Sequence, residues 1–330
     1  MIISKTPFRI SFFGGGTDYP VWYKENTGAV LSATIDKYCY ISVRYLPPFF
    51  EHKHRIVYSR IENVKRINEI QHPVVKALLK LFKFERGVEI HHDGDLPARS
   101  GLGSSSAFTV GMLNSLYALQ GKIISKNELA KQAIHVERDI LRENVGSQDQ
   151  IAVACGGLNK ITFRSDHNFK IDPITLNRER INLLESHLML IFTGLSRFAS
   201  KIAAEQIKNT ACKSKELSVM QEMVNHAVDI LNSRRDIAEF GKLLNDTWKL
   251  KKSLSKKISN SGIDSLCEKA LKSGAIGGKI LGAGGGGFML LFVPPQKRKK
   301  VREALKGLLE VKFSFENNGS QIIYYNPQQV

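Results

Sequence analysis

The chain has 330 residues, long for one domain and comfortable for two. Hydrophobic residues make up 42%, enough for a sizeable core, which argues against disorder; no stretch approaches the roughly 20 apolar residues that span a bilayer. The formal net charge of +17 favours anionic partners: nucleic acid, an acidic membrane or phosphorylated small molecules.

The opening MIISKTPFRISFF has no basic start followed by a long apolar run, so no secretory leader is expected. Its apolar residues Ile2, Ile3, Phe8, Ile10, Phe12 and Phe13 predict an extended segment over 2–13. A glycine-rich turn follows, then β-branched and aromatic residues predict a strand over 29–46. Residues 73–83 read as a helix and 87–93 as an alternating strand. A turn at Leu96-Pro97-Ala98-Arg99-Ser100-Gly101 leads into a helix from about Ser104 to Leu119, closed by Gly121. Ser125 and Glu128 form a capping-box pattern before the next helix, whose stripe is Leu129, Ala133, Val136 and Ile140.

The texture changes after about residue 165. A strand over 187–193 precedes long basic helices over 197–273, with Val219, Met223, Ala227, Ile230 and Leu231 on one apolar stripe. Strand, helix and strand follow at 288–293, 296–309 and 321–325. The expected division is an N-terminal domain over 1–170 and a C-terminal domain over 171–330. Strands and helices mix without regular βαβ alternation, which predicts an α+β fold. Lys249, Lys251, Lys252, Lys256 and Lys257, and the run Lys297, Arg298, Lys299, Lys300 and Arg302, read as solvated helix faces. No aromatics interleave with them to stack bases, so nucleic acid is not an expected partner. Cys39, Cys155, Cys212 and Cys267 have neither metal-ligand nor redox spacing and read as buried thiols of a reducing, cytoplasmic compartment.

Three glycine-rich segments carry the chemistry. In the first, Gly14-Gly15-Gly16-Thr17-Asp18, successive glycines after a strand permit positive φ and close backbone approach to a ligand, and Asp18 can accept bonds from sugar hydroxyls. The second, Gly101-Leu102-Gly103-Ser104-Ser105-Ser106-Ala107, opens a helix. Its N-terminal N–H groups and dipole suit phosphate, and the serines add hydroxyl donors or a Mg²⁺ ligand. It lacks the Lys-Ser/Thr of a Walker A loop. The third, Gly282-Ala283-Gly284-Gly285-Gly286-Gly287, formally matches G-x-G-x-x-G, but a strand-like run follows it where a dinucleotide fingerprint opens a helix. It reads as a support for the phosphate loop or a turn. Between the second and third lie Glu137, beside Arg138 on a polar helix face, and Asp149 in Gly146-Ser147-Gln148-Asp149-Gln150. Phosphoryl transfer needs one acidic group to hold Mg²⁺ and another to orient or deprotonate the attacking hydroxyl.

In this order the segments resemble the three signature motifs of the GHMP kinases, over residues 7–292. The resemblance implies a two-domain α+β fold, with an N-terminal domain like ribosomal protein S5 domain 2 and a ferredoxin-like C-terminal domain. It implies ATP and Mg²⁺ as cofactors, with Gly101, Leu102, Gly103, Ser104, Ser105 and Ser106 cradling the ATP phosphates. Ser105 and Glu137 match the metal ligands, Asp149 the catalytic aspartate, and Arg9 the basic residue near the transferred group. Gly15, Gly16, Thr17 and Asp18 match the sugar-binding segment. Galactokinases have Gly-Glu-His where this chain has Gly14-Gly15-Gly16, which argues against galactose. The glycine-rich form most resembles the D-glycero-D-manno-heptose 7-phosphate kinase branch, which phosphorylates the anomeric hydroxyl for GDP-heptose synthesis. Arg197 is an expected clamp for a substrate phosphate. The expected partner is a small-molecule sugar phosphate, with no membrane and no nucleic acid; a homodimer is left open. The alternatives are a fucokinase-like enzyme, an ATP-dependent decarboxylase, which the family fold also hosts, and a non-catalytic ligand-binding protein on this fold.

Overall fold

The first strand, Ile2–Phe13, alternates in burial over its first four residues and is then buried throughout, because it enters the middle of a sheet with elements packed on both faces. It pairs antiparallel with Gly28–Tyr45, an 18-residue strand long enough to serve three further neighbours. The far half of that strand, Cys39 to Tyr45, pairs with Val88–Gly94, and its near half, Gly28 to Ala33, pairs with Leu158–Phe163. The structure, a computed structural model, describes residues 1–166, 168–194 and 199–327, and the side chains of the last segment from 202 onward. Arg197, the expected phosphate clamp, lies outside the described residues.

The α+β expectation is borne out. Among the described residues one sheet has nine strands and a second has four. The second is built from Leu188–Phe192, Gly277–Ile280, Phe288–Phe292 and Leu309–Val311, all paired antiparallel. Numbered along the chain, their spatial order is fourth, first, third, second, with helices between the first and second and between the third and fourth. That is the ferredoxin-like arrangement. The last two strands, Phe315–Glu316 and Gln321–Tyr325, follow this sheet in sequence but return to the first one, on Gly28–Tyr45 and Ile2–Phe13.

The Ser104–Leu119 helix forms where expected and is buried nearly all round, since it is enclosed by the first two strands and the helix Gln148–Cys155. Ser125 caps Lys126–Ile134 by accepting from the Glu128 N–H at 3.2 Å. The stripe expected to continue through Ile140 does not: the chain widens into a π-helical turn over His135–Ile140, and Ile140 is exposed. In Ser214–Asn232 the stripe holds at Ala227, Ile230 and Leu231, which are buried. In the first half of the helix it is shifted by one residue: Met220 and Val224 are buried and Val219 is exposed. Of the cysteines only Cys39 is buried, and Cys212 is exposed.

Phe240 joins the two sheets. Its ring meets Phe12 and Phe13 edge-on at 5.5 and 5.0 Å and lies 6.1 Å from Phe292. Such aromatic contacts contribute about 0.5–1.5 kcal/mol each beyond buried area. They fix the helix Ala238–Ser253 against the first strand, which matters for Lys251 below. No helix of the described residues is long and apolar enough to cross a membrane.

Candidate active site

The site assembles at the end of the first strand. Arg9, only 2% exposed, hydrogen-bonds Asp149 through two nitrogens, Nε to Oδ1 at 2.8 Å and Nη2 to Oδ2 at 2.7 Å. Its Nη1 donates to the Gly101 carbonyl at 2.8 Å, and its backbone N–H to the Leu102 carbonyl at 2.9 Å. One residue thus ties Asp149 to the glycine-rich loop at Gly101–Leu102. Bidentate pairing fixes the carboxylate in plane and orientation. Gly103 allows the approach: a Cβ there would lie 3.2 Å from Arg9 Cγ and 3.5 Å from Asp149 Oδ2.

Gly101 and Gly103 have φ of +89° and +74°, and Gly103 is the N-cap of the Ser104–Leu119 helix. The first-turn N–H groups of Ser104, Ser105 and Ser106 lack intrahelical acceptors, which suits an anion. Leu102 is in the core and contributes its carbonyl, not its side chain. The third glycine segment braces this loop by backbone contact. Cβ atoms on Gly282 and Gly287 would fall 2.7 Å from Gly101 Cα and 2.2 Å from the Ser100 oxygen. Phe288 N–H donates to Ser100 O at 3.0 Å. The supporting role is therefore the one the structure carries.

Glu137 is 1% exposed, not on a polar face, because the π-helical turn rotates it inward. Its Oε2 accepts from Ser106 Oγ at 2.9 Å and from Gln150 Nε2. Its Oε1 is buried without a hydrogen-bond partner, and the nearby Thr109 hydroxyl points to the Ser105 carbonyl at 3.2 Å. Burial pushes the carboxyl up to about 7, against the pull of the neighbouring donors. Ser106 is the serine that meets Glu137, while Ser105 is exposed at the loop mouth. A buried carboxylate with one unsatisfied oxygen beside a phosphate-type loop fits a divalent cation, which in nucleotide sites takes one or two protein ligands and fills the rest with phosphate and water.

Asp18 is 3% exposed, held by the Gly16 N–H at 2.9 Å and Gln148 Nε2 at 3.1 Å. Burial raises its pKa, and the Asp149 charge adds to that. Gly15 and Gly16 shape the turn, Gly16 with φ of +114°. Thr17 is fully buried, its hydroxyl shared between the Gly14 and Ala29 carbonyls at 2.8 and 2.9 Å, so it holds the turn instead of facing a ligand. Gly146 is the seat of Asp18: an added Cβ would lie 1.8 Å from Asp18 Oδ2. Gly146→Ala is expected to raise the acceptor KM by roughly tenfold or more with little change in the ATP KM; equal effects on both would detach Asp18 from the acceptor.

Several further residues of the site carry no motif of their own. Gln148 and Gln150 flank Asp149 and turn to Asp18 and Glu137 respectively. Lys279, 1% exposed, donates to the Ser11 and Phe12 carbonyls at 2.9 and 2.7 Å, and burial holds its ammonium well below the usual lysine range. Lys251 is not on a solvated face: it is 5% exposed and donates to the Gly282 carbonyl. A finer reading of the stripe Phe240, Leu244, Thr247, Trp248 would have placed Lys251 on the buried side.

The chain matches the family description GHMP kinases N terminal domain over residues 68–157 and GHMP kinases C terminal over residues 227–310. It is 30% identical to the D-glycero-alpha-D-manno-heptose 7-phosphate kinase of Campylobacter jejuni, over 96% of this chain and 97% of that one. It is 25% identical to the L-fucokinase/L-fucose-1-P guanylyltransferase of Bacteroides fragilis, over 92% of this chain but 36% of that one. In structure it resembles a D-glycero-D-manno-heptose 1-phosphate kinase from Bacteroides thetaiotaomicron, with a TM-score of 0.80, 23% identity, and coverage of 98% and 99% of the two chains. Both halves of the chain, the loop that Arg9 ties to Asp149, and a relative aligned almost end to end agree: the chain belongs to the GHMP kinase family.

Proposed function

We propose that this chain phosphorylates the anomeric hydroxyl of D-glycero-D-manno-heptose 7-phosphate, giving the 1,7-bisphosphate used in GDP-heptose synthesis. The observation that carries the kinase chemistry is the Arg9–Asp149 pair seated on the Gly101 carbonyl. The substrate rests on the glycine-rich first segment and on the Campylobacter relative.

ATP, when bound, supplies the phosphoryl group. The first turn of the Ser104–Leu119 helix binds the phosphates, and Glu137 with the Ser105 hydroxyl would hold Mg²⁺ while Ser106 and Gln150 fix the carboxylate. Asp18 receives sugar hydroxyls. Asp149, a quarter exposed, turns a fixed carboxylate toward the acceptor hydroxyl and orients it for attack, accepting its proton as the bond forms. Arg9 keeps that carboxylate in place and offsets charge on the transferring group. Catalysis by this set is positioning and electrostatics.

The test is ADP release with Mg-ATP against the heptose 7-phosphate, the matching unphosphorylated heptose, mannose 6-phosphate, fucose, galactose and mevalonate. Turnover with the heptose 7-phosphate alone is expected. Preference for fucose would favour the second reading, a fucokinase, which the Bacteroides fragilis relative supports over 92% of this chain.

A further inference from the structure

Three polar side chains from three separate elements converge on one glycine. A Cβ on Gly15 would lie 3.8 Å from each of Ser11 Oγ, Gln148 Nε2 and Lys251 Nζ. Ser11 comes from the first strand, Gln148 from the helix Gln148–Cys155, and Lys251 from the helix Ala238–Ser253. All three are buried, at 4%, 9% and 5% exposure. Among the described residues Ser11 Oγ and Gln148 Oε1 have no hydrogen-bond partner. A buried polar atom without a partner costs about 1–3 kcal/mol, so Ser11 Oγ, which can donate, marks where a ligand oxygen supplies the missing bond, while Gln148 Oε1 can only accept and suits a ligand hydroxyl.

The chemistry of the cluster is donor-rich. An ammonium has three donors and no acceptor, a hydroxyl can donate, and the Gln148 amide nitrogen already donates to Asp18. Arg9 is held on Asp149 and Gly101, and Lys279 on the Ser11 and Phe12 carbonyls. Lys251 is the cation at the Gly15 turn, and its bond to the Gly282 carbonyl places it beside the segment that braces the phosphate-type loop. We propose that Lys251 and Ser11 form a phosphate-oxygen subsite over Gly15, with Lys251 as its charged contact and Gln148, held on Asp18, at its edge.

This deepens the proposed function and rests on it for the choice of acceptor. The phosphate oxygen has two sources, the phosphate already on the acceptor and the phosphoryl group in transfer. Steady-state constants of Lys251→Met and Ser11→Ala on the heptose 7-phosphate and on the unphosphorylated heptose separate them. A KM raised roughly tenfold to a hundredfold for the phosphorylated acceptor alone assigns the acceptor's phosphate; a kcat lowered as much on both assigns the transferring group. Either result supports the subsite. Ser11→Ala is expected to do this at unchanged or higher melting temperature, since it removes a buried hydroxyl with no partner. Folded variants that both keep every constant within about threefold of wild type would overturn it. Should the wild type turn over neither heptose, the heptose reading falls and the subsite is scored by calorimetry with tripolyphosphate. Binding weakened at least about tenfold in Lys251→Met supports it, and unchanged binding overturns it.

Discussion

Asp149→Asn is expected to fold and to lose roughly 10²–10⁴-fold in kcat, the range of a positioned acid–base group. The variant is nearly isosteric, yet it changes two things at once. The amide cannot accept the proton of the acceptor hydroxyl, and its NH₂ faces an Arg9 nitrogen that now donates to Asp149 Oδ2 at 2.7 Å. Arg9 is 2% exposed, so an uncompensated guanidinium is left in a nearly closed site. For fully buried pairs, removing one partner costs about 3–5 kcal/mol. The Asp149 side chain is 26% exposed, so water screens the pair and the cost falls below that range. Stopped or steady-state turnover alongside a melting curve checks both parts. Near-wild-type kcat in a folded protein would remove Asp149 from the reaction.

Glu137→Gln should separate stability from activity. Unfolded, the carboxyl titrates at the usual 4.5; folded, burial raises it to about 7. Between those values the native chain keeps a proton that the unfolded chain has released. Stability therefore falls as pH rises through this window, and the contribution is complete only below about 4.5. Above about 7 the buried charge costs on the order of 3 kcal/mol in the metal-free protein. Glutamine carries no charge, so the metal-free variant should show a flatter pH–stability profile and melt higher than wild type at pH 8. The same change should weaken apparent Mg²⁺ activation by at least about 10–100-fold, the loss seen even for outer partners of a metal. Superimposed melting profiles and unchanged Mg²⁺ dependence would take Glu137 out of the metal shell.

Much of this was legible in the sequence, and the failures have physical causes. The first strand and the Ser104–Leu119 helix were readable because strand and helix periods and the glycine punctuation agree there. The short strands His54–Val57 and Ile61–Val64 were not, being four residues each with too few periods to register. The return of Gln321–Tyr325 to the first sheet is a long-range pairing that no local pattern encodes. At the site, motif residues with their own glycine signal, such as Asp149 and Gly103, were visible. Glu137's burial was hidden by a π-helical turn that breaks the 3.6-residue phase. Lys251 was hidden by its company, since Lys249, Lys256 and Lys257 are exposed as a lysine run suggests. The stripe Phe240, Leu244, Thr247 and Trp248 puts Lys251 on the buried face of its helix, and the packing of that face sets its Nζ near Gly15.

The most direct test of the account is a phosphorus NMR time course of wild type and Asp149→Asn with Mg-ATP and D-glycero-D-manno-heptose 7-phosphate. The expected result is loss of the ATP γ-phosphate signal in step with a second sugar-phosphate resonance coupled to the anomeric proton, and neither change on that time scale with Asp149→Asn. Release of inorganic phosphate alone, a phosphate on another oxygen, or an equally active Asp149→Asn would contradict it.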